Sequence, residues 1–356
     1  MAESRQPIAP RVAFQGEVGA FSEEAVRAFF GPDVEPVACP SFRAVFEAVR
    51  AGTVDHGLVP IENARFGSVH VNYDLLREFA LPIVGEVHLR IRHHLMARPG
   101  TTLSDVKRVR SHPQALGQCD AWLRAHLPTA KPVPDYDTAG AARRLADPEH
   151  GGDVRSGGEA RSGDAPADEA AIASAAAAEE YGLTVLAAGI EGDENNVTRF
   201  LAITRQGDED AEGQGGEATS SPPGQGELEG VDEISRMRHS GTTINHPQPL
   251  LSRRGANDIA EAKPLIVPHK TSLVFALRAN VPGALFKSLA VFALRDLDLL
   301  KIESRPLVGT PGQYLFYLDL GGRATDEPVA RALDHLADFA ARVQVLGSYP
   351  VGRRVG

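Results

Sequence analysis

Up to residue 205, short apolar runs alternate with stretches whose apolar positions recur every three or four residues, the signatures of strands and amphipathic helices. Residues 11–14 predict a first strand and 15–20 a glycine-containing turn. A helix then starts where Ser22 can cap, Glu23 and Glu24 suit the positive end of the dipole, and Phe21 can staple onto Val26. Gly31 is placed to stop it. A second helix over about 41–50 carries the stripe Phe42, Val45, Phe46 and Val49. Residues 56–61 read as a strand ending at Glu62 and Asn63. A helix begins near Tyr73, and 82–87 and 88–97 read as strand. His93 and His94 would point to opposite faces of that strand, one packed and one exposed, which makes them a poor metal pair. A strand over 106–110 leads into Ser111-His112-Pro113, with Pro113 at the first helical position and Gln114, Gln118 and Trp122 on one helix face. Thr138 caps a further helix, residues 174–181 form an alanine-rich one, and 185–190 form a strand. The run from Asp193 to Ile203 begins as a polar turn and ends as a buried strand, which puts Thr198 and Arg199 where a loop feeds a sheet.

This alternation predicts an α/β fold with mostly parallel sheets in two groups, hence two lobes and a cleft across residues 11–205. Residues 148–169 are rich in Gly, Asp and Glu and read as a disordered insertion. Residues 206–264, rich in Gly, Glu, Ser, Pro and Gln, read as a flexible linker. From 268 to 352 the order becomes strand, helix, strand, strand, helix, strand, the ferredoxin-like βαββαβ motif. Such a unit, with one apolar sheet face, commonly pairs with a second copy.

The chain has 356 residues, enough for two ordinary domains, and at 42% hydrophobic and 24% charged it can bury a sizeable core. A net charge of −10 argues against nucleic acid or an anionic membrane as the main partner. Cys39 and Cys119 form no spaced pair, so neither a disulfide framework nor a zinc motif follows. No apolar run reaches membrane-spanning length, and the first strand begins too early for a targeting peptide, so the expected compartment is the cytoplasm.

The chemistry-bearing residues gather at predicted strand ends and helix starts. A hydroxyl beside a guanidinium at Thr198 and Arg199 suits an anionic, oxygen-rich substrate. Glu62 and Asn63 stand at a strand's carboxyl end, Ser111 at a helix mouth with Gln118 further along it. Helix starts at Ser22 and Thr138 are anion cradles. No residue pattern signals a metal or an organic cofactor.

Five ordered motifs resemble the prephenate dehydratase family, including its plant-type arogenate dehydratase branch, followed by an ACT regulatory domain. They are Val59-Pro60-Ile61-Glu62-Asn63; Ser111-His112-Pro113-Gln114-Ala115-Leu116 with Gln118; Ala171-Ile172-Ala173-Ser174; Asn196 with Thr198-Arg199-Phe200; and Lys301-Ile302-Glu303-Ser304-Arg305-Pro306. Finer similarity leans toward the plant-type branch, in stretches such as Asn72-Tyr73-Asp74-Leu75-Leu76 and Leu346-Gly347-Ser348-Tyr349-Pro350. The resemblance implies two α/β lobes like those of periplasmic binding proteins, with the site between them. It implies a carbon–oxygen lyase that converts prephenate to phenylpyruvate in phenylalanine biosynthesis, or alternatively arogenate to phenylalanine, without metal or cofactor. A non-catalytic amino-acid-sensing protein is the remote alternative. Thr198 would be required for turnover, with Ser111 and Gln118 beside it. Glu62, Asn63, Arg199, Ser22 and Thr138 would bind substrate. Gly283, Ala284 and Leu285 with Glu303, Ser304, Arg305 and Pro306 would bind phenylalanine as effector, in a homodimer or homotetramer. Val197 stands where many relatives carry Thr or Ser, and Asp298 and Leu300 replace the usual Asn and Thr before the last motif.

Overall fold

The computed structural model describes residues 9–147, 168–193, 195–208, 268–307, 309–310 and 312–356. Most of the expected insertion at 148–169 and of the expected linker at 206–264 lies outside them, but Glu169 already belongs to a strand. The first lobe contains β1 (Arg11–Gln15), α1 (Phe21–Phe30), β2 (Glu35–Cys39), α2 (Phe42–Ala51), β3 (His56–Asn63), β4 (Gly67–Ser68), α3 (His70–Phe79) and β5 (Ile83–Arg90). The second contains β6 (His94–Ala97), β7 (Arg108–Ser111), α4 (Pro113–His126), β8 (Lys131–Pro134), α5 (Thr138–Ala146), β9 (Glu169–Ala173), α6 (Ala175–Glu180) and β10 (Thr184–Ala188). The chain returns to the first lobe as β11 (Val197–Thr204). The C-terminal unit is β12 (His269–Leu277), α7 (Ala284–Ala293), β13 (Leu299–Pro306), β14 (Tyr314–Gly321), α8 (Glu327–Phe339), β15 (Ala340–Pro350) and a last strand, β16 (Arg353–Val355).

The first sheet runs β16-β5-β11-β3-β1-β2, the second β10-β6-β9-β7-β8, and the third β13-β14-β12-β15, which is the ferredoxin-like order. The sheets are mixed rather than mostly parallel. β11 comes back from the second lobe and lies antiparallel to both β3 and β5, and β6 is antiparallel to β9 and β10. The predicted strand over 88–97 is broken: β5 ends at Arg90, and Ile91–His93 cross to β6 in the other sheet. This crossing and the return before β11 are tied together by Ile91 N–H to Asn196 O (2.8 Å) and Ile190 N–H to His93 O (3.0 Å).

Two helices start differently from the sequence expectation, and a third starts as expected. Ala20, not Ser22, occupies the cap of α1, and Glu23 instead accepts from Gly19 N–H at 2.7 Å. Asp137, not Thr138, caps α5, its carboxylate accepting from Gly140 N–H. His112 caps α4 by accepting from Gln114 N–H (3.2 Å), with Pro113 first in the helix as expected.

The lobes share one apolar cluster, in which Phe14 and Leu89 meet Met96, Ala139 and Ala171. Gly19 has φ +82°, and a Cβ there would lie 2.7 Å from Ala177 Cα of α6, so glycine is what permits this contact between lobes. Alternation along β12 buries both faces of the third sheet. Leu273, Phe275 and Leu277 pack with α7 and α8, while Val274 joins Leu315, Tyr317, Leu346 and Tyr349 in a cluster with Val59, Ile61, Tyr73 and Leu76 of the first lobe. The chain's own lobe therefore covers the sheet face that the sequence left for a second copy.

Candidate active site

A cavity of about 540 Å³ lies where the lobes meet. Gln15, Ser22, Asn63, Thr198 and Phe200 border it from one side, and His93, His112, Gln114, Gln118, Asp137 and Thr138 from the other. Four helices, α1, α2, α4 and α5, have residues of their first turn in its wall: Phe21 and Ser22, Phe42, Gln114, and Thr138. Their free N–H groups and dipoles favour anions there. Among the described residues that line it none is Lys or Arg, and Asp137 is the carboxylate. Burial pushes the Asp137 carboxyl up to about 6, and the nearby Glu17 and Asp135 act in the same direction.

Strand register decides which candidates reach the cavity. Thr198 of β11 stands opposite Asn63 of β3, and Arg199 opposite Glu62. Side chains alternate along a strand, so Thr198 and Asn63 share the cavity face while Arg199 and Glu62 share the other. Asn63 Oδ1 accepts from the backbone N–H groups of Arg65 (2.9 Å) and Phe66 (3.2 Å), which fixes the orientation of its amide. Asn63 Nδ2 then donates to Thr198 Oγ1 at 2.9 Å and to Asn196 Oδ1 at 3.0 Å. The Thr198 oxygen is thereby an acceptor at the cavity wall.

The amide chain continues across the crossing. Asn196 Nδ2 donates to Gln118 Oε1 (3.0 Å), and Gln118 Nε2 donates to Asn196 Oδ1 (3.3 Å). Gln118 Oε1 also meets His93 Nε2, so the His93 ring carries its proton on Nε2. Burial pushes His93 below the usual histidine range despite this bond, which keeps the ring neutral. His93 is 3% exposed and Asn196 fully buried. His93 and Asp137 are site residues that the sequence reading passed over. The strand break that brings His93 to the cavity has no local signal, but Asp137 followed three residues later by Gly140 is a cap pattern of its own.

Three candidates do not reach the cavity wall. Arg199 turns away: its Nε donates to Glu86 (2.6 Å), Nη1 to Asp319 (2.6 Å) and Nη2 to Tyr349 Oη (3.0 Å). Glu62, on the same face, pairs with Lys301 Nζ at 2.9 Å. Ser111 is fully buried, and its hydroxyl donates to Ile172 O at 2.6 Å, joining β7 to β9. Ser22 and Thr138 border the cavity from helix first turns without being caps.

A family model for prephenate dehydratase matches residues 12–208. The chain belongs to the prephenate dehydratase family. Its similarity extends to "Arogenate dehydratase/prephenate dehydratase 2, chloroplastic" of Arabidopsis thaliana, 39% identical over 350 residues, covering 96% of this chain and 73% of that protein. The solved prephenate dehydratase from Arthrobacter aurescens in complex with L-Phe is 32% identical, with a TM-score of 0.68, covering 96% of this chain and 90% of the other. A structure described as "GqqA- a novel type of quorum quenching acylases" is 29% identical, with a TM-score of 0.69, covering 96% and 98%. As a prephenate dehydratase family member the chain is a hydro-lyase of phenylalanine biosynthesis. Among the described residues no helix is long and apolar enough to cross a membrane.

β13 lies against the first lobe next to the cavity. Ser68, which lines the cavity, donates to Glu303 (2.8 Å), His70 Nε2 lies 3.3 Å from the same carboxylate, and Arg305 pairs with Asp74 (2.8 Å). Ser304 is exposed. Gly283, at φ +82°, precedes α7, with Ala284 and Leu285 in its first turn.

Proposed function

We propose that the cavity catalyses decarboxylating dehydration of prephenate to phenylpyruvate. In this reaction the bond from ring carbon to carboxylate breaks, and its electrons complete the aromatic ring. The ring hydroxyl leaves and takes up a proton, so the products are phenylpyruvate, CO2 and water. Aromatisation supplies the driving force, and the enzyme's task is to help hydroxide depart. The observation that carries this reading is the fixed Asn63 amide. It makes Thr198 Oγ1 an acceptor and leaves the Thr198 proton as a donor to the departing oxygen. The bonds of Ser111 and Gln118 to their neighbours make them supports rather than proton carriers. Helix first turns at Ser22, Phe42, Gln114 and Thr138 would hold the side-chain carboxylate. Weak stabilisation of the ring carboxylate would suit its loss.

One observation favours arogenate as a second substrate. Arogenate carries an ammonium where prephenate carries a keto group, and Asp137 is a carboxylate in a cavity wall with no Lys or Arg among its described residues. Comparing kcat/KM for the two substrates tests both readings; turnover of neither would refute them. An acylase reading calls for a nucleophile beside a base. Here Thr198 meets an amide, His93 gives Nε2 to Gln118, and His112 Nδ1 accepts from Gln114 N–H, which supports the lyase instead.

L-Phenylalanine is the proposed effector, through Gly283, Ala284, Leu285, Glu303, Ser304 and Arg305. The Arthrobacter relative, solved in complex with L-Phe, supports this. A homodimer or homotetramer fits the edge strand β13 with its exposed Leu300 and Ile302, and Phe286 and Leu294 are exposed as well. The cytoplasm is the proposed compartment, although the Arabidopsis relative's name says chloroplastic.

A further inference from the structure

We propose that Arg199 is a positioning residue through which the C-terminal unit aims the Thr198 hydroxyl, so that turnover depends on that unit's packing. The proposal rests on the reading of Thr198 as the donor to the departing oxygen.

On the β3 side Thr198 and Arg199 are set off from the rest of β11, while against β5 the register runs unbroken from Val197 to Ala202. The register against β3 shifts between Arg199 and Phe200, and such irregularities beside a site re-aim side chains. The β5 ladder holds the backbone here, and on the irregular β3 side the side-chain bonds add to it in aiming this dipeptide. Its side-chain anchors are Asn63 on the cavity face and the Arg199 cluster on the other.

That cluster is drawn mainly from the C-terminal unit. Asp319 of β14 and Tyr349 of β15 bond the guanidinium directly. Ser272 of β12 links them, donating to Asp319 Oδ1 at 2.5 Å and lying 2.6 Å from Tyr349 Oη. Glu86 of β5, the third partner, is itself held by Lys270 Nζ of β12 (2.7 Å) and Gly352 N–H (2.8 Å). Burial opposes ionisation of Arg199 and Glu86 alike. For Arg199 the surrounding Asp319, Tyr349 and Glu86 outweigh it; for Glu86 the bond from His88, with Arg199 and Lys270, does so, and both stay charged. A planar guanidinium with Nε, Nη1 and Nη2 each committed to a different residue fixes orientation more tightly than a single ion pair. A shift of the third sheet against the first lobe would therefore move Arg199 and, with it, the adjacent Thr198.

The test uses full-length Asp319→Asn, Asp319→Glu and Tyr349→Phe, with Asp74→Asn as control. Asp74 pairs across the same boundary with Arg305 of β13. kcat and KM are measured separately, with circular dichroism and melting temperature to establish folding. We expect Asp319→Asn and Tyr349→Phe to lower kcat about tenfold, the scale of a small misplacement of a reacting group. KM should stay nearly unchanged, Asp319→Glu should recover part of the loss, and Asp74→Asn should behave as wild type. If Asp319→Asn does not fold, Tyr349→Phe, which removes one hydroxyl, decides. Wild-type kcat in folded Tyr349→Phe, or an equal loss in Asp74→Asn, would overturn the proposal. Full turnover by Thr198→Val would instead overturn the reading of Thr198 on which it rests.

Discussion

Thr198 and Arg199 are consecutive in β11 and serve opposite faces of it. The hydroxyl borders the interlobe cavity, and the guanidinium, 8% exposed as a residue, is closed off against Glu86, Asp319 and Tyr349. Replacing the two should therefore fail in different ways. Thr198→Val keeps shape and removes one donor from the cavity. It should lower kcat about 10²-fold or more, the scale of losing a donor to a departing or developing charge. Ligand affinity and melting temperature should change little. Comparable turnover in the variant would show that the hydroxyl is not the donor.

Arg199→Ala should first be a stability defect. It takes the guanidinium from buried Asp319 and leaves Glu86 to Lys270, and breaking a buried pair from one side costs about 3–5 kcal/mol. Denaturant unfolding is the measurement. Near wild-type stability with a raised KM would return Arg199 to the substrate-binding role that the sequence suggested.

Asn63→Ala removes the amide that makes Thr198 an acceptor. The Thr198 hydroxyl could then rotate to donate to a protein neighbour, and Asn196 would lose a donor as well. We expect kcat to fall about tenfold to a hundredfold, within the usual range for proton-handling groups. Asn63→Asp should be no better, because a carboxylate cannot donate to Thr198 Oγ1. Recovery of activity in the Asp variant would contradict the assigned bond direction.

The element order was legible because apolar periodicity is a local property. The strand end at Glu62-Asn63, the helix behind Pro113 and the βαββαβ unit all lie where the pattern put them. Strands β2 and β8 escaped notice because each contains proline, which weakens a strand signal. Both are sheet edges, where a missing N–H costs least. Facing was the harder question. Neither Glu62-Asn63 nor Thr198-Arg199 reveals which of two neighbours meets the cavity, because alternation leaves the choice to the packing of the third sheet. That packing depends on Asp319 and Tyr349, far along the chain. The hydroxyl of Ser111 likewise looked available only because its acceptor, Ile172 O, is remote in sequence.

Glu303 is bonded to Ser68 at the cavity wall, so the motif assigned to effector binding already touches the site. An effector that draws the Glu303 carboxylate to its ammonium would release Ser68. Ser68→Ala should therefore blunt the response of turnover to L-phenylalanine while the protein still binds it. Calorimetric titration alongside inhibition curves separates the two. An unchanged inhibition curve in Ser68→Ala would exclude this contact as a route.

Asp137 should make substrate choice depend on pH. Its folded carboxyl titrates near 6, raised by burial and by Glu17 and Asp135. Above that pH the ionised group favours the ammonium of arogenate and opposes a neutral keto group in the same place. The ratio of kcat/KM for arogenate to that for prephenate should thus rise as pH increases through about 6 and be flatter in Asp137→Asn. The same shift has a stability consequence of fixed sign. A carboxyl raised above its unfolded value of about 3.9 binds its proton more tightly in the folded state, so its contribution is present in acid and lost as pH rises from about 4 to about 6. Asparagine is an equally good helix cap and does not ionise. Asp137→Asn should therefore gain melting temperature relative to wild type at pH 7.5 but not at pH 4. An equal difference at both pH values would mean that the carboxyl is not desolvated at the cavity wall, and the argument for amine recognition would fall with it.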